Sequence, residues 1–127
     1  MKLNWKNGWP LLVLTVGYWG LTLPFMSRWP YNWDAAQFVL ALRHYDISMH
    51  QPHPPGYPLF VVLGKLLALM FTDNTALVLV AALLGFVSVL ILYQFCYRLW
   101  ANKLGGCLIA ICYLLNPLFW LYRETAL

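Results

Sequence analysis

Long apolar stretches, separated by one polar connection, dominate the pattern of the chain. They cover residues 10–26, 75–97 and 104–122, and the second contains no charged residue. An apolar helix of about 17–25 residues can cross the hydrocarbon core of a membrane, so we expect each of the three stretches to be a membrane span. Because a proline removes one backbone donor, Asn116-Pro117 predicts a bend near the outer end of the third helix.

A fourth apolar stretch, residues 58–71, is short and carries Lys65 near its middle. That length suits a re-entrant or interfacial helix better than a full span. The basic start before residue 10 also resembles a signal peptide, but residues 23–28 offer no cleavage site of small residues. We therefore expect the first stretch to be an uncleaved anchor.

Composition agrees with the apolar pattern. Hydrophobic residues make up 62% of the 127 residues, charged residues only 9%, and the mean hydropathy is +0.66. Soluble domains carry about a quarter charged residues, so these values predict a membrane protein. The net charge of +4 comes from dispersed lysines and arginines, which argues against nucleic acid as a partner. Cys96, Cys107 and Cys112 lie in apolar stretches without paired spacing, and we expect all three to be small buried hydrophobes.

The distribution of charged residues predicts how the chain is oriented in the membrane. If residues 58–71 do not cross and the N-terminus is cytoplasmic, four cations without acidic neighbours lie inside: Lys2, Lys6, Arg98 and Lys103. All four acids then lie outside: Asp34, Asp46, Asp73 and Glu124. The positive-inside rule favours this arrangement. The prediction is an all-α polytopic protein of the plasma or inner membrane, forming one membrane domain over residues 1–127. It has three transmembrane helices, with interfacial helices in an outer loop over residues 27–74.

The outer loop begins with a predicted helix. Asn32 is a suitable cap for a helix starting at Trp33, which puts Asp34 in the first turn. An apolar face at helical spacing is expected to lie on the membrane; it consists of Phe38, Ala41, Leu42 and Tyr45. Asp34 either stabilises the helix start or is an acid at the interface that accepts a proton from a hydroxyl group.

The proline-rich residues 50–58 cannot form a regular helix. Each proline pushes the preceding residue towards extended backbone, and Gly56 permits a sharp turn. This stiff bend either only turns the chain into the following helix or also holds His53 and Tyr57 in place for ligand binding. His50 and His53 are three apart in a broken, extended run, so a zinc pair is not implied.

Arg123 and Glu124 end the third stretch on the same outer side. One interpretation is a self-paired couple in which the arginine snorkels to the interface. The other is a second carboxylate that faces Asp34 across the membrane surface.

Together these features resemble a known family. Asp34, the run His-Pro-Pro-Gly-Tyr-Pro-Leu-Phe at residues 53–60, and Asn-Pro-Leu-Phe-Trp at residues 116–120 through Glu124 are similar to the N-terminal part of GT-C-fold glycosyltransferases. This family includes protein O-mannosyltransferases and bacterial lipid A aminoarabinose transferases. The resemblance implies a polyprenyl-phosphate sugar donor and transfer, on the extracytoplasmic side, to a hydroxyl of a glycan, lipid or protein. A divalent cation is possible.

The resemblance also implies roles for individual residues. Asp34 matches the catalytic base, Glu124 the acid of the second outer loop, and Pro54-Pro55 the turn before the second loop helix. Candidates for binding the donor phosphate or substrate are His53, Tyr57, Arg43, Lys65 and Arg123, with Arg28 as a further outer cation.

Two departures from the family pattern stand out. Ala35-Ala36 follow Asp34 where many relatives have a second acid or an aromatic residue. Typical members are also several times longer, so we expect a fragment that by itself is inactive or only part of an enzyme. The competing interpretations are a non-catalytic membrane module that binds lipid or a partner, and an inactive remnant. A transporter fragment is less favoured, because Lys65 is the sole ionisable residue within an apolar segment.

Overall fold

The computed structural model describes residues 8–125, and in that part of the chain every regular element is a helix. The elements are α1 (Trp9–Thr22) with a 3₁₀ turn (Leu23–Phe25), α2 (Trp33–Arg43), a 3₁₀ turn (Ile47–Met49), α3 (Pro58–Leu67), α4 (Asp73–Trp100), α5 (Lys103–Leu114) and α6 (Pro117–Glu124). The predicted all-α class is confirmed. Lys2 and Lys6, on which the predicted orientation partly depends, lie outside the described residues.

The helix α4 contains the second predicted span. Its 28 residues extend about 42 Å, and its most apolar window has a mean hydropathy of 2.8. Among residues 8–125 it alone is a continuous helix long and apolar enough to cross a membrane. Helices α5 and α6 together make a second candidate, bent by 66°, whereas Trp9–Phe25 and Pro58–Leu67 are shorter. The described structure therefore supports one or two spans rather than the three predicted.

The bend between α5 and α6 lies at Asn116-Pro117, as the sequence predicts. The Asn116 side chain accepts hydrogen bonds from the backbone N–H groups of Leu118 and Phe119, at 3.0 and 3.2 Å. Pro117 occupies the first turn of α6, where a missing N–H costs no helical hydrogen bond. An asparagine cap and a proline thus start a new helix in a new direction.

One buried cluster joins α1, α4 and α5. It comprises Leu14, Tyr18, Val89, Tyr93, Cys107, Ala110 and Leu114. The Tyr18 hydroxyl donates a 2.6 Å hydrogen bond to the Ala82 carbonyl, so this polar group is satisfied inside the bundle. Cys96 and Cys107 are buried as predicted, but Cys112 is exposed and that prediction is wrong. Five helical positions turn Cys112 about 140° away from the buried face that contains Cys107.

A second buried cluster joins α2 and α3 to the N-terminal half of α4. It comprises Ala35, Phe38, Ala41, Leu42, Val61, Leu77 and Val78. The prediction that the apolar face of α2 lies on the membrane is therefore wrong for Phe38, Ala41 and Leu42, which are buried against protein. A Cβ on Gly64 would lie 2.7 Å from Leu77 and 2.9 Å from Leu42, so glycine permits this close approach of α3.

Three chain segments meet at one end of the bundle. The backbone N–H of Ser27 donates to the Glu124 carbonyl at 2.9 Å, and the Asn74 side chain donates to the Ser27 carbonyl at 3.0 Å. The end of the first segment, the start of α4 and the end of α6 are thereby joined. The connection between α4 and α5 lies at the opposite end of α4.

Candidate active site

Asp34 lies in the first turn of α2. Asn32 is extended, and its side chain accepts the N–H of Ala35 at 2.8 Å, which confirms the predicted cap. The cap fixes where the helix begins and therefore where Asp34 projects. Its side chain is 55% exposed, so the carboxylate is open to solvent or to a ligand.

The irregular segment after α2 is held by local hydrogen bonds. Asp46 and Gln51 exchange two backbone hydrogen bonds, at 2.7 and 2.8 Å. The Asp46 carboxylate accepts from the Ser48 hydroxyl at 2.6 Å and from its N–H at 2.9 Å, and these bonds lower the pKa of Asp46. Gly56 has a φ of +87°, and the Tyr45 hydroxyl donates to its carbonyl at 3.1 Å. The predicted departure from regular helix is confirmed.

This segment brings His53 to Asp34. The His53 Nδ1 atom lies 3.7 Å from the Asp34 Oδ1 atom. Nδ1 is buried and has no hydrogen-bond partner. The imidazole packs edge-on against Phe38, with ring centroids 5.5 Å apart, and against Tyr57, at 5.7 Å. The sequence predicted both residues separately, but no local pattern indicated that they meet across 19 positions.

An apolar groove adjoins this cluster. It has a volume of about 270 Å³ and is lined by Tyr57, Pro58, Leu59, Phe60, Leu63 and Leu84. Tyr57 lines the groove and also contacts the His53 ring, so the groove and the pair of Asp34 and His53 are linked through this residue. The sequence did not predict it, because Leu84 comes from α4 and the other lining residues from the start of α3.

Arg43 and Lys65 occupy different environments. The Arg43 guanidinium makes two bonds with the Asp73 carboxylate, at 2.7 and 2.8 Å, and ties the end of α2 to the start of α4. Lys65 is exposed on α3. Of these two candidates for phosphate binding, Arg43 already has an anionic partner within the fold.

Arg123 is enclosed, which makes the snorkelling interpretation wrong. The residue is only 2% exposed, and its guanidinium carbon lies 5.3 to 5.8 Å from the ring centroids of Tyr18, Phe119 and Trp120. One terminal nitrogen donates to the Leu114 carbonyl at 3.4 Å, and the other lies 3.5 Å from Glu124. To bind a phosphate, the guanidinium would have to leave this aromatic cage.

Glu124 follows the predicted third span, and its side chain is 13% exposed. Burial raises the pKa of the Glu124 carboxyl, and the neighbouring Arg123 charge acts in the opposite direction. The two acids have different partners, since Asp34 lies beside His53 and Glu124 beside Arg123. Within residues 8–125, no group of three or more histidine, cysteine, aspartate or glutamate side chains is arranged to hold a metal ion.

Comparison with known proteins agrees with the resemblance found in the sequence. Residues 34–123 match the family described as the protein O-mannosyl-transferase TMEM260 N-terminal domain. The matched region begins at Asp34 and includes the proline-rich bend, the groove and Arg123. Glu124 lies just beyond it.

The chain is also similar to one known protein over most of its length. The protein O-mannosyl-transferase tmem260 of Dictyostelium discoideum is 29% identical over 96 residues, which cover 71% of this chain and 11% of that protein. The chain thus corresponds to a small part of the relative's length. No solved structure matches. Because the family match covers most of the chain, the chain belongs to the family of TMEM260 N-terminal domains of protein O-mannosyl-transferases.

Proposed function

We propose that this chain is part of a membrane glycosyltransferase that moves a sugar from a polyprenyl-phosphate donor to an acceptor hydroxyl on the extracytoplasmic side. The name of the Dictyostelium discoideum relative favours mannose as the sugar and a protein hydroxyl as the acceptor. Family membership supports the reaction class, and the geometry around Asp34 supports the site.

The observation that carries the proposal is the half-exposed Asp34 carboxylate beside His53, whose ring contacts Tyr57 in the wall of an apolar groove. In a single displacement, the acceptor oxygen bonds to the anomeric carbon while the bond from that carbon to the phosphate oxygen breaks. The acceptor proton passes to Asp34, and the lipid phosphate leaves with the bonding electrons. A positioned base accelerates such a step by about 10²–10⁴-fold.

The groove suits the apolar part of the donor. Its lining is formed by aromatic, aliphatic and proline side chains, which favours burial of an isoprenoid chain. Lys65 is exposed on α3, the same helix that lines the groove, and Arg28 is exposed before α2. The departing phosphate carries negative charge and needs donors rather than a strong acid. We propose Arg28 for this role, because Lys65 lies on the face of α3 opposite the groove-lining Leu63.

The hydrogen bonds that join Ser27, Asn74 and Glu124 support the predicted sidedness. They bring both ends of the loop over residues 27–74 and the end of α6 to one end of the bundle. Arg98 and Lys103 flank the connection at the other end of α4. The positive-inside rule then favours an extracytoplasmic Asp34.

Replacing Asp34 by asparagine in the complete membrane protein tests the proposal. We expect D34N to insert normally but to lose about 10²-fold or more in transfer of radiolabelled mannose from a polyprenyl-phosphate donor to an acceptor peptide. The matched control is D46N, the same change in the same loop, where asparagine can still accept from Ser48. Normal transfer by D34N, or equal losses in both variants, would exclude Asp34 as the base.

A further inference from the structure

We propose that His53 is the positioning residue for Asp34. Its Nδ1–H donates to Asp34 Oδ1 and fixes the carboxylate, so that Oδ2 is directed to the proton of the acceptor hydroxyl. This inference rests on the proposed function for the role of Asp34, but the carboxylate–imidazole pair is measurable without any transfer reaction.

Burial of one nitrogen is the first argument. Nδ1 is shielded from water and has no hydrogen-bond partner, although the whole side chain is 28% exposed. A buried polar atom without a hydrogen-bond partner is costly, so Nδ1 needs a partner from the protein or a ligand. The Asp34 carboxylate oxygen at 3.7 Å is in position to supply it.

Charge then selects the tautomer. A neutral imidazole carries its proton on Nδ1 or on Nε2, and the hydrogen bond made by one nitrogen determines the state of the other. If the proton were on Nε2, the lone pair of the buried Nδ1 atom would face the Asp34 carboxylate. The Nδ1–H form avoids that repulsion and converts it into a charge-assisted hydrogen bond.

The imidazole is held while the carboxylate can move. Edge-on contacts with Phe38 and Tyr57 fix the ring, and the bond from Tyr45 to the Gly56 carbonyl holds the bend. Asp34 is half exposed, so rotation of its side chain can close the gap to a hydrogen bond of about 2.7–2.9 Å. A donor held in place beside an exposed carboxylate that has room to rotate can orient that carboxylate.

Two substitutions of His53 distinguish the roles of its two ring nitrogens. The amide of asparagine at position 53 can occupy the place of Nδ1, whereas the amide of glutamine reaches the place of Nε2. In the complete protein, we expect H53A and H53Q to lower kcat for transfer by about 10- to 100-fold, the effect of losing one charge-assisted hydrogen bond. H53N should restore most of that loss. The matched control is H44A, because His44 is an exposed histidine 4.0 Å from a different carboxylate, Asp46, and should leave kcat unchanged.

The tautomer provides a readout that does not need activity. In the complete protein with ¹⁵N-labelled histidine, the signal lost in H53N identifies His53, and its shifts identify the protonated nitrogen. We expect the Nδ1–H form in the wild type and a change towards Nε2–H in D34A. An Nε2–H form that D34A leaves unchanged would overturn the pair, as would equal kcat values for H53N and H53Q. If the wild type has the expected tautomer but transfers no sugar, the pair stands and the proposed function fails.

Discussion

At the residue scale, burial separates two arginines that the sequence treats alike. Arg43 lies at the surface and pairs with Asp73, and an exposed pair of this kind contributes only about 0.2–1 kcal/mol. Arg123 is enclosed by three aromatic rings that exclude water, and it links the Leu114 carbonyl at the end of α5 to the end of α6. We therefore infer that Arg123 stabilises the bend between these helices.

Replacing Arg123 by methionine should lower the free energy of unfolding by about 3 kcal/mol, because it leaves Glu124 partly buried without its cation. The double variant R123M/E124Q should recover part of that loss, since it removes the unpaired charge. Denaturant unfolding in detergent micelles measures both. An unchanged stability of R123M, or strict additivity in the double-mutant cycle, would contradict this role.

For Arg123, the sequence predicted the pairing with Glu124 but not the burial of the side chain. Its partners within α6 lie close in sequence, and the pairing with Glu124 could be predicted. Its burial depends on Tyr18, more than a hundred residues earlier, so the sequence left snorkelling as an open interpretation. His53 is a similar case, because only the folded bend brings its Nδ1 atom to Asp34.

At the element scale, helix starts were predictable because their signals are local. Asn32 caps α2 as predicted, and the bend predicted at Asn116-Pro117 is confirmed, with Asn116 capping the helix that follows. Which helices pack together was not predictable, since an apolar face fits lipid and protein equally well. The face of α2 that contains Phe38 therefore packs against the protein and not on a membrane.

Removing the Asn32 cap should destabilise the start of α2. We expect N32A to cost about 1 kcal/mol, to accelerate amide hydrogen exchange at Ala35 and to reduce sugar transfer, because Asp34 loses its fixed position. N102A is the matched control, since Asn102 caps α5 by the same kind of bond to Gly105. It should cost similar stability at the other end of α4 but leave transfer unchanged. Equal transfer by the two variants would show that the cap does not orient Asp34.

The close approach of α3 to α2 and α4 should depend on Gly64. We expect G64A to lower the free energy of unfolding by about 1–3 kcal/mol, because the added methyl displaces the buried side chains of Leu42 and Leu77. G17A is the matched control in α1, where nothing lies within 4 Å of the new Cβ. Alanine there should be neutral or stabilising by about 0.5–1 kcal/mol. A G64A protein as stable as G17A would mean that α3 is loosely packed.

At the scale of the whole molecule, the class and the order of helices were predictable, but the number of crossings was not. Helix α4 contains the predicted span over residues 75–97, whereas the third stretch is divided by its 66° bend. The proposed function requires that the outer loop and Glu124 share one compartment, opposite the connection between α4 and α5. The bonds of Ser27 with Glu124 and Asn74 support this arrangement.

Cysteine labelling from each face of the membrane tests that requirement most directly. All native cysteines of the complete protein, including Cys96, Cys107 and Cys112, are first replaced by alanine. Single cysteines are then introduced at Met49, Ala101 or Glu124. In vesicles of known orientation, a thiol reagent that cannot cross lipid should label positions 49 and 124 from the extracytoplasmic face. It should reach position 101 only from the other face. Labelling of positions 49 and 124 from opposite faces would show that the outer loop and Glu124 lie in different compartments, and the proposed site would be excluded.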